Sequence, residues 1–181
     1  MSIHSISTFT SNFNGGTRPN RFRITGSIPG LGNAQAFHET GIYCLASTMP
    51  ESTVGIIPIP FRGRIYKFPG DRQYSEWNAT LLDDTGNNAT WQLWHEWSQR
   101  FNSHEDNIAA DRTHISEFCA DLTIEQLDHQ SDAVIKSTQL VNAWPVVVGP
   151  IAFDMGSANT LTQFQVTVAY SHYTSPTVRN P

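Results

Sequence analysis

The chain has 181 residues, 39% of them hydrophobic, which is enough to bury one core and is most simply a single domain. It has no apolar run of 18 residues and begins without the basic and apolar blocks of a signal peptide, so we expect a soluble protein made in a cytoplasm. The two cysteines, Cys44 and Cys119, fall in separate predicted strands and fit reduced core thiols better than a disulfide framework.

Charge is unevenly distributed along the chain. Residues 1–72 hold seven Lys or Arg against three Asp or Glu, and residues 73–181 hold four against thirteen, so the two parts carry +4 and −9. Opposite charges on two parts of one molecule suit copies that stack head to tail. A chance distribution over one folded surface explains the same counts equally well.

The first third of the chain is polar and weakly patterned. Residues 1–20 have too little apolar content to hold themselves in place, and we expect a flexible arm. Alternation over Phe22–Gly26 predicts a half-buried strand, and residues 43–46 predict another short one. Residues 47–55 are predicted to form a polar surface loop of the kind that carries contacts.

The stretch 58–84 is predicted to form two strands around a turn. Residues 61–68 are rich in aromatic and basic side chains, Pro-Gly-Asp at 69–71 has turn chemistry, and 74–82 alternates again. Gly63 lies between two arginines, which indicates a bulge or the close approach of another backbone.

An amphipathic helix is predicted to follow, with Asp84 and Thr85 as its cap. Large apolar side chains recur on one broad stripe at helical spacing, and Phe-Asn-Ser at 101–103 ends the helix. Tryptophans at this spacing pack in a core more often than they form a ligand-stacking platform. The predicted core positions of the helix are Trp91, Trp94, Trp97 and Phe101.

Residues 103–115 are dense in His, Asp and Glu, which are metal-ligand types. Their spacing matches no recognised site, so a solvated loop is the better interpretation. Nothing in the chain supplies a nucleophile elbow or a paired base either. We therefore expect no metal, no cofactor and no catalytic residue.

The last third of the chain predicts more strands. Residues 118–127 alternate, with apolar side chains on one face and Asp121 and Glu125 on a wet, acidic face. Residues 134–141 return as a strand that is predicted to end in a rigid apolar corner at 143–150, and 164–170 form the final strand. Seven or eight strands and one helix predict a small β-sandwich or barrel with a flanking helix.

Residues 61–84 resemble the signature of the tail tube proteins of contractile-tailed, T4-like bacteriophages. In that family an Arg-Gly-Arg strand, a Gly-Asp-Arg turn, an aromatic-Glu-Trp strand and an Asp-led helix follow in this order. The likeness extends over most of residues 56–173, including the Trp-Pro corner, the segment 151–154 and a final strand that ends in aromatics. The signature positions in this chain are Arg62, Gly63, Arg64, Gly70, Asp71, Arg72 and Trp77.

The resemblance implies a mainly β tail tube fold, a sandwich or barrel-like domain over 21–175 between the arm at 1–20 and a tail at 176–181. It implies a structural virion protein and no enzyme, whose copies form hexameric rings that stack helically into a hollow conduit for genome delivery. The implied place is the virion tail, after assembly in the host cytoplasm. The implied partners are the tail sheath protein, a tape-measure protein, a baseplate initiator, a tail terminator and phage DNA in transit, with no membrane binding.

The resemblance also makes the segment 47–55 an assembly element that orders when rings stack, with Ser47, Met49, Glu51, Ser52 and Val54 as candidates. An acidic lumen would repel DNA phosphates at short range, and Asp121 and Glu125 are the candidates for it, although a plain solvated outer face explains them nearly as well. The alternatives are the tube of an extracellular contractile injection system, a baseplate tube initiator of the same fold and, more distantly, a carbohydrate-binding β-module.

Overall fold

A computed structural model describes residues 6–13, 15–28, 43–85, 90–108, 114, 117–129 and 131–175. No helix among these residues is long and apolar enough to cross a membrane. The elements follow in the order α1 (Ile6–Asn12), β1 (Phe22–Gly26), β2 (Cys44–Ser47), β3 (Ser52–Phe61), β4 (Arg64–Tyr74), β5 (Trp77–Leu82), α2 (Thr90–Phe101), β6 (Ala120–Leu127), β7 (Val134–Val148), β8 (Gln163–Ala169) and β9 (His172–Thr174).

The body of the molecule is one seven-stranded antiparallel sheet in the order β1-β6-β7-β8-β5-β2, with β9 also paired to β7. The long strand β7 joins the two halves of this sheet. Its first part pairs with β6 and β9 in one half, and its last part pairs with β8 in the other half. A register shift lies near Asn142, whose φ is 54°. One cluster of buried side chains draws on both halves, so the sheet encloses a single core. The predicted mainly β fold is confirmed.

Helix α2 packs on this core through the predicted stripe. Trp94 is 2% exposed and Trp97 0%, while Trp91 and Phe101 are partly buried against the same cluster. The predicted cap at Asp84 and Thr85 is wrong, because the helix begins at Thr90. The carboxylate of Asp83 accepts from the backbone N–H of Trp91 at 3.0 Å, whereas Asp84 accepts from the N–H of Thr85. Asp83 therefore satisfies one backbone donor in the first turn of the helix from outside the helix.

The expected corner at 143–150 is also wrong, since β7 runs on to Val148. At this point the strand exchanges β6 for β8 as its partner, with Trp144 opposite Ala169 and Pro145 opposite Val168. A register shift follows Pro145 immediately, and proline is tolerated in a sheet at such irregular positions. The strand predicted from 118 begins at Ala120, and Phe118 instead packs edge-on against Phe101.

Strands β1 and β8 agree with the sequence patterns, at Phe22–Gly26 and Gln163–Ala169, but β8 is not the final strand, because β9 follows it. The predicted arm contains a second helix, α1, which has no buried residue. Residues 1–5 and 14 of that arm, part of the loop 103–115, and the tail 176–181 lie outside the described residues.

Candidate assembly surface

Strands β3 and β4 form a separate two-stranded ribbon, referred to below as the hairpin. They pair antiparallel from Ser52 opposite Tyr74 to Phe61 opposite Arg64. The turn consists of Arg62 and Gly63, with φ of 47° and 81°, and positive φ at both central residues is typical of a type I′ turn. Gly63 therefore turns the chain, and the expectation of a bulge or a close backbone approach at this position is wrong.

The bulge lies at the place where the sequence predicts a turn. The register jumps from Val54 opposite Arg72 to Ile56 opposite Pro69, which leaves two residues of β4 facing one residue of β3. A Cβ on Gly70 would lie 3.2 Å from the carbonyl oxygen of Gly55, so glycine permits this close approach. Pro-Gly-Asp chemistry suits a bulge as well as a turn, and here it forms a bulge within β4.

Both faces of the hairpin are apolar and exposed. Residues directly opposed in antiparallel strands share a face. Neither strand has a fully buried residue, and the large hydrophobic side chains from 56 to 68 are between 46% and 66% exposed. One face carries Ile57, Ile59, Phe61, Tyr66 and Phe68, and the other carries Ile56, Pro58, Pro60, Ile65 and Pro69.

Basic side chains accompany this apolar surface. Four cations, Arg62, Arg64, Lys67 and Arg72, stand against one carboxylate, Asp71. Within the described chain, neither outer edge of the ribbon has a strand partner. An exposed apolar ribbon with open edges is typical of a surface that another chain covers.

A small polar and aromatic joint connects the hairpin to the body. The ring of Tyr74 contacts those of Tyr173 and Tyr170, with centroids 5.5 and 6.0 Å apart. The Ser52 hydroxyl lies 3.1 Å from the Tyr173 hydroxyl and accepts from the Arg72 guanidinium at 2.7 Å. Burial raises the pKa of Tyr170, so its hydroxyl stays neutral at physiological pH.

The five stacking candidates lie together at the base of the hairpin, although the predicted loop is shorter than expected. Residues 48–51 connect β2 to β3, so Ser47 ends β2, and Ser52 and Val54 belong to β3. The Glu51 carboxylate accepts from the Ser75 hydroxyl at 2.8 Å, and Met49 and Val54 are exposed. Pairing with β4 satisfies backbone groups that the polar composition led us to place in a loop.

The signature residues have separate structural positions. Arg62, Gly63 and Arg64 are at the tip of the hairpin, and Gly70, Asp71 and Arg72 are at the bulge. Trp77 begins β5, is 2% exposed, and donates its indole N–H to the carbonyl oxygen of Thr48 at 2.7 Å. The signature therefore describes a turn, a bulge and a buried anchor.

The acidic candidates lie on the outer face of β6, and both have partners. Asp121 accepts from the backbone N–H of Asn142 at 3.0 Å and from the Gln139 amide at 3.4 Å. Glu125 accepts from the guanidinium of Arg23 on β1. This face is less acidic than the sequence of β6 alone suggests.

In the described part of the chain, no three His, Cys, Asp or Glu side chains are grouped to hold a metal ion. His95 stacks between Trp91 and His104, with ring centroids 4.6 and 4.9 Å apart. Burial raises the pKa of the Cys44 thiol to about 11, so it is a neutral thiol at physiological pH.

The sequence matches the phage tail tube protein family over residues 10–175. The chain belongs to that family. It is 30% identical over 154 residues to the tail tube protein of Serratia phage KSP90, which covers 84% of this chain and 85% of the relative. It is 26% identical over 156 residues to the tail tube protein of Enterobacteria phage T4, covering 86% and 90%. Such proteins are structural components of the virion tail.

Two solved structures share the fold. A chain of the anti-feeding prophage baseplate superposes with a TM-score of 0.67 at 12% identity, covering 93% of this chain and all of that one. A chain of the sheath-tube complex of PVC, an extracellular contractile injection system, has a TM-score of 0.61 at 17% identity, covering 96% and 100%. These likenesses support the tail tube fold of the family.

Two exposed apolar features were not predicted from the sequence. Residues 54–61 contain no polar side chain, a pattern without alternation that is compatible with a strand apolar on both faces. Phe153 and Met155, in the loop after β7, are 89% exposed and fully exposed respectively. No pattern around these two residues distinguishes an exposed side chain from a buried one.

Proposed function

We propose that this chain is the inner tube subunit of a contractile phage tail and that six copies close into a ring that stacks into a hollow tube. Membership of the tail tube family supports the proposal that the chain forms a tube. The proposal of self-assembly rests on the exposed apolar surface of the hairpin. The ribbon has exposed apolar side chains on both faces. Assembly lowers the free energy because other copies remove those faces from water.

The arrangement of the contacts follows from symmetry. A ring closes its lateral contacts, whereas contacts between stacked rings are heterologous and never close. Tube length is therefore set from outside, and we assign this role to the tape-measure protein. The stacking candidates at the hairpin base, Ser47, Met49, Glu51, Ser52 and Val54, belong to the contact between rings.

The remaining partners are inferred from family and fold. The structural relatives come from a sheath-tube complex and a baseplate, and we infer that this chain also binds a sheath, a baseplate initiator and a terminator. Assembly takes place in the host cytoplasm, and no step requires catalysis by this chain.

We propose that the outer face of β6 lines the lumen, with Asp121 and Glu125 facing DNA in transit. Each unpaired cation on the wall would add a phosphate contact, and the pairing of Arg23 with Glu125 reduces that attraction. Repulsion by Asp121 reaches only about 8 Å at physiological salt, which leaves a wide bore open. Asp121→Lys should slow DNA ejection, and a tube map with these side chains on the sheath side would exclude this lining.

Two other functions fit less well. A tube of an extracellular injection system or a baseplate initiator would have the same fold, but the relatives of 26–30% identity are phage tail tube proteins. A glycan platform on α2 would need exposed tryptophans, whereas Trp94 and Trp97 are buried.

The test is assembly of the purified full-length chain, followed by sedimentation and electron microscopy over a range of concentrations, with and without a baseplate seed. Rings with sixfold symmetry and hollow tubes are the expected products. A protein that remains monomeric at every concentration, even with a seed, would overturn the proposed function.

A further inference from the structure

The loop between β7 and β8 presents two apolar side chains on an ordered turn. Asp154 accepts from the backbone N–H of Gly156 at 2.9 Å and from the Ser157 hydroxyl at 3.1 Å, and these bonds lower its pKa. Phe153 and Met155 flank this aspartate and project into solvent. An ordered turn loses little conformational entropy on binding, which favours docking of the side chains that it holds.

A matching cavity lies elsewhere on the same chain. Its volume is about 180 Å³, and Phe22, Met49 and Ile124 are among the residues that line it. An engineered apolar cavity of about 150 Å³ accommodates one benzene molecule, so this cavity has room for one phenyl ring. Gln126 and Thr48 supply a polar edge.

The turn and the cavity lie at opposite ends of the same strands. Strand β5 runs from Trp77, opposite Val168, to Leu82, opposite Gln163. The loop with Phe153 leads into Gln163, and Asp83 donates its N–H to the carbonyl oxygen of Thr162, which places the loop at the Leu82 end. The cavity lies at the Trp77 end, where the indole of Trp77 binds Thr48.

Charge differs between the two ends of the strands. Asp83, Asp84 and Asp154 lie at the Leu82 end. The Trp77 end bears the basic hairpin, which begins at Ser52 and returns at Tyr74. Around the cavity itself the charges are mixed, because Arg21 pairs with Asp132, and Glu51 and Glu76 line a neighbouring pocket with Met49. The hairpin, with four cations against one carboxylate, is therefore the part of the Trp77 end that complements the acidic Leu82 end of an identical copy.

We propose that Phe153 of one copy inserts into this cavity of the next copy along the tube, with Met155 against its rim at Met49. The contact is heterologous, so it repeats without closing, as stacked rings require. It rests on the proposed function and adds to it a specific anchor, separate from the hairpin, that sets the register between rings.

The first test uses the full chain with Phe153→Ser and Met155→Ser together. Both side chains are exposed, so the monomer should keep its circular dichroism and melting temperature. The critical concentration for tube growth should rise at least about tenfold, because removal of an anchor from a pocket weakens binding by that order or more. Ile108→Ser, at an exposed residue outside the turn and the cavity, is the matched control and should leave growth unchanged.

The second test locates the contact directly by disulfide trapping, in a background of Cys44→Ala and Cys119→Ala. Met155→Cys with Met49→Cys should give chains crosslinked between copies in tubes and only monomers when tubes are absent. Met155→Cys with Leu45→Cys, an exposed position on β2 outside the cavity, should remain uncrosslinked. Normal growth of the Ser variant, or equal crosslinking in both cysteine pairs, would overturn the knob and socket while leaving the tube intact. Failure of the wild-type chain to form tubes would overturn the proposed function itself.

Discussion

The body and the hairpin use similar apolar side chains in opposite ways. In the body, Leu122, Leu140 and Val166 are fully buried in one core to which both halves of the sheet contribute. In the hairpin, isoleucines and aromatics of comparable size are about half exposed on two faces. The apolar surface of the body therefore stabilises the monomer, and that of the hairpin is available to stabilise the assembly.

This contrast predicts the largest loss of monomer stability at the helix stripe. Trp94→Ala should lower the free energy of unfolding by about 3–5 kcal/mol, because a buried tryptophan leaves a cavity when it is truncated. Urea unfolding of the monomer measures this loss. Trp144→Ala, at a position 39% exposed, is the matched control and should cost clearly less. Equal losses would mean that α2 does not anchor the sheet.

The hairpin should respond in the opposite way. Ile59→Ser with Tyr66→Ser removes one cross-strand pair and should cost the monomer no more than about 1 kcal/mol. Tube formation should be lost, which sedimentation detects. Ile56→Ser with Ile65→Ser changes the other face and should also block assembly, since both faces are apolar. Normal tubes from either variant would show that its face is not covered.

The joint between the two regions should give an intermediate effect. Tyr173→Phe removes a hydroxyl 3.1 Å from Ser52 and should cost about 0.5–1.5 kcal/mol of monomer stability. A double-mutant cycle with Ser52→Ala should show that the two losses are not additive. Tyr66→Phe is the control, because the Tyr66 ring lies on an exposed hairpin face, and it should leave monomer stability unchanged. Additive losses would mean that this contact does not connect hairpin and body.

The smallest effect concerns Cys44 at the edge of the body. Burial disfavours the thiolate, so the folded-state pKa lies above the ordinary value of 9.0, at about 11. The resulting stabilisation is present below pH 9 and is lost as the pH rises through 11. Thiolate absorbance of the wild type minus that of Cys44→Ala should titrate near pH 11 in the folded monomer. A midpoint near 9 would mean that the thiol is solvated.

Much of the fold could be predicted from the sequence because the patterns involved are local. Alternation placed β1 and β8 correctly, and the helical stripe identified Trp94 and Trp97 as core residues. The resemblance carried by residues 61–84 led to the correct family, since a turn, a bulge and a buried tryptophan leave recognisable sequence marks. These features depend on residues that are near one another in the chain.

Other features of the molecule depend on which strands pair with one another in the folded chain. Pro-Gly-Asp at 69–71 is a bulge only because Gly55 lies opposite, and β7 passes Pro145 because β8 replaces β6 as its partner. The sequence pattern of β6 gives Glu125 no partner, yet Arg23, 102 residues away, pairs with it. The sequence by itself determined strands β1 and β8, the helix stripe and the family. Only the tertiary structure decided which apolar side chains remain exposed, because exposure depends on what the rest of the chain covers.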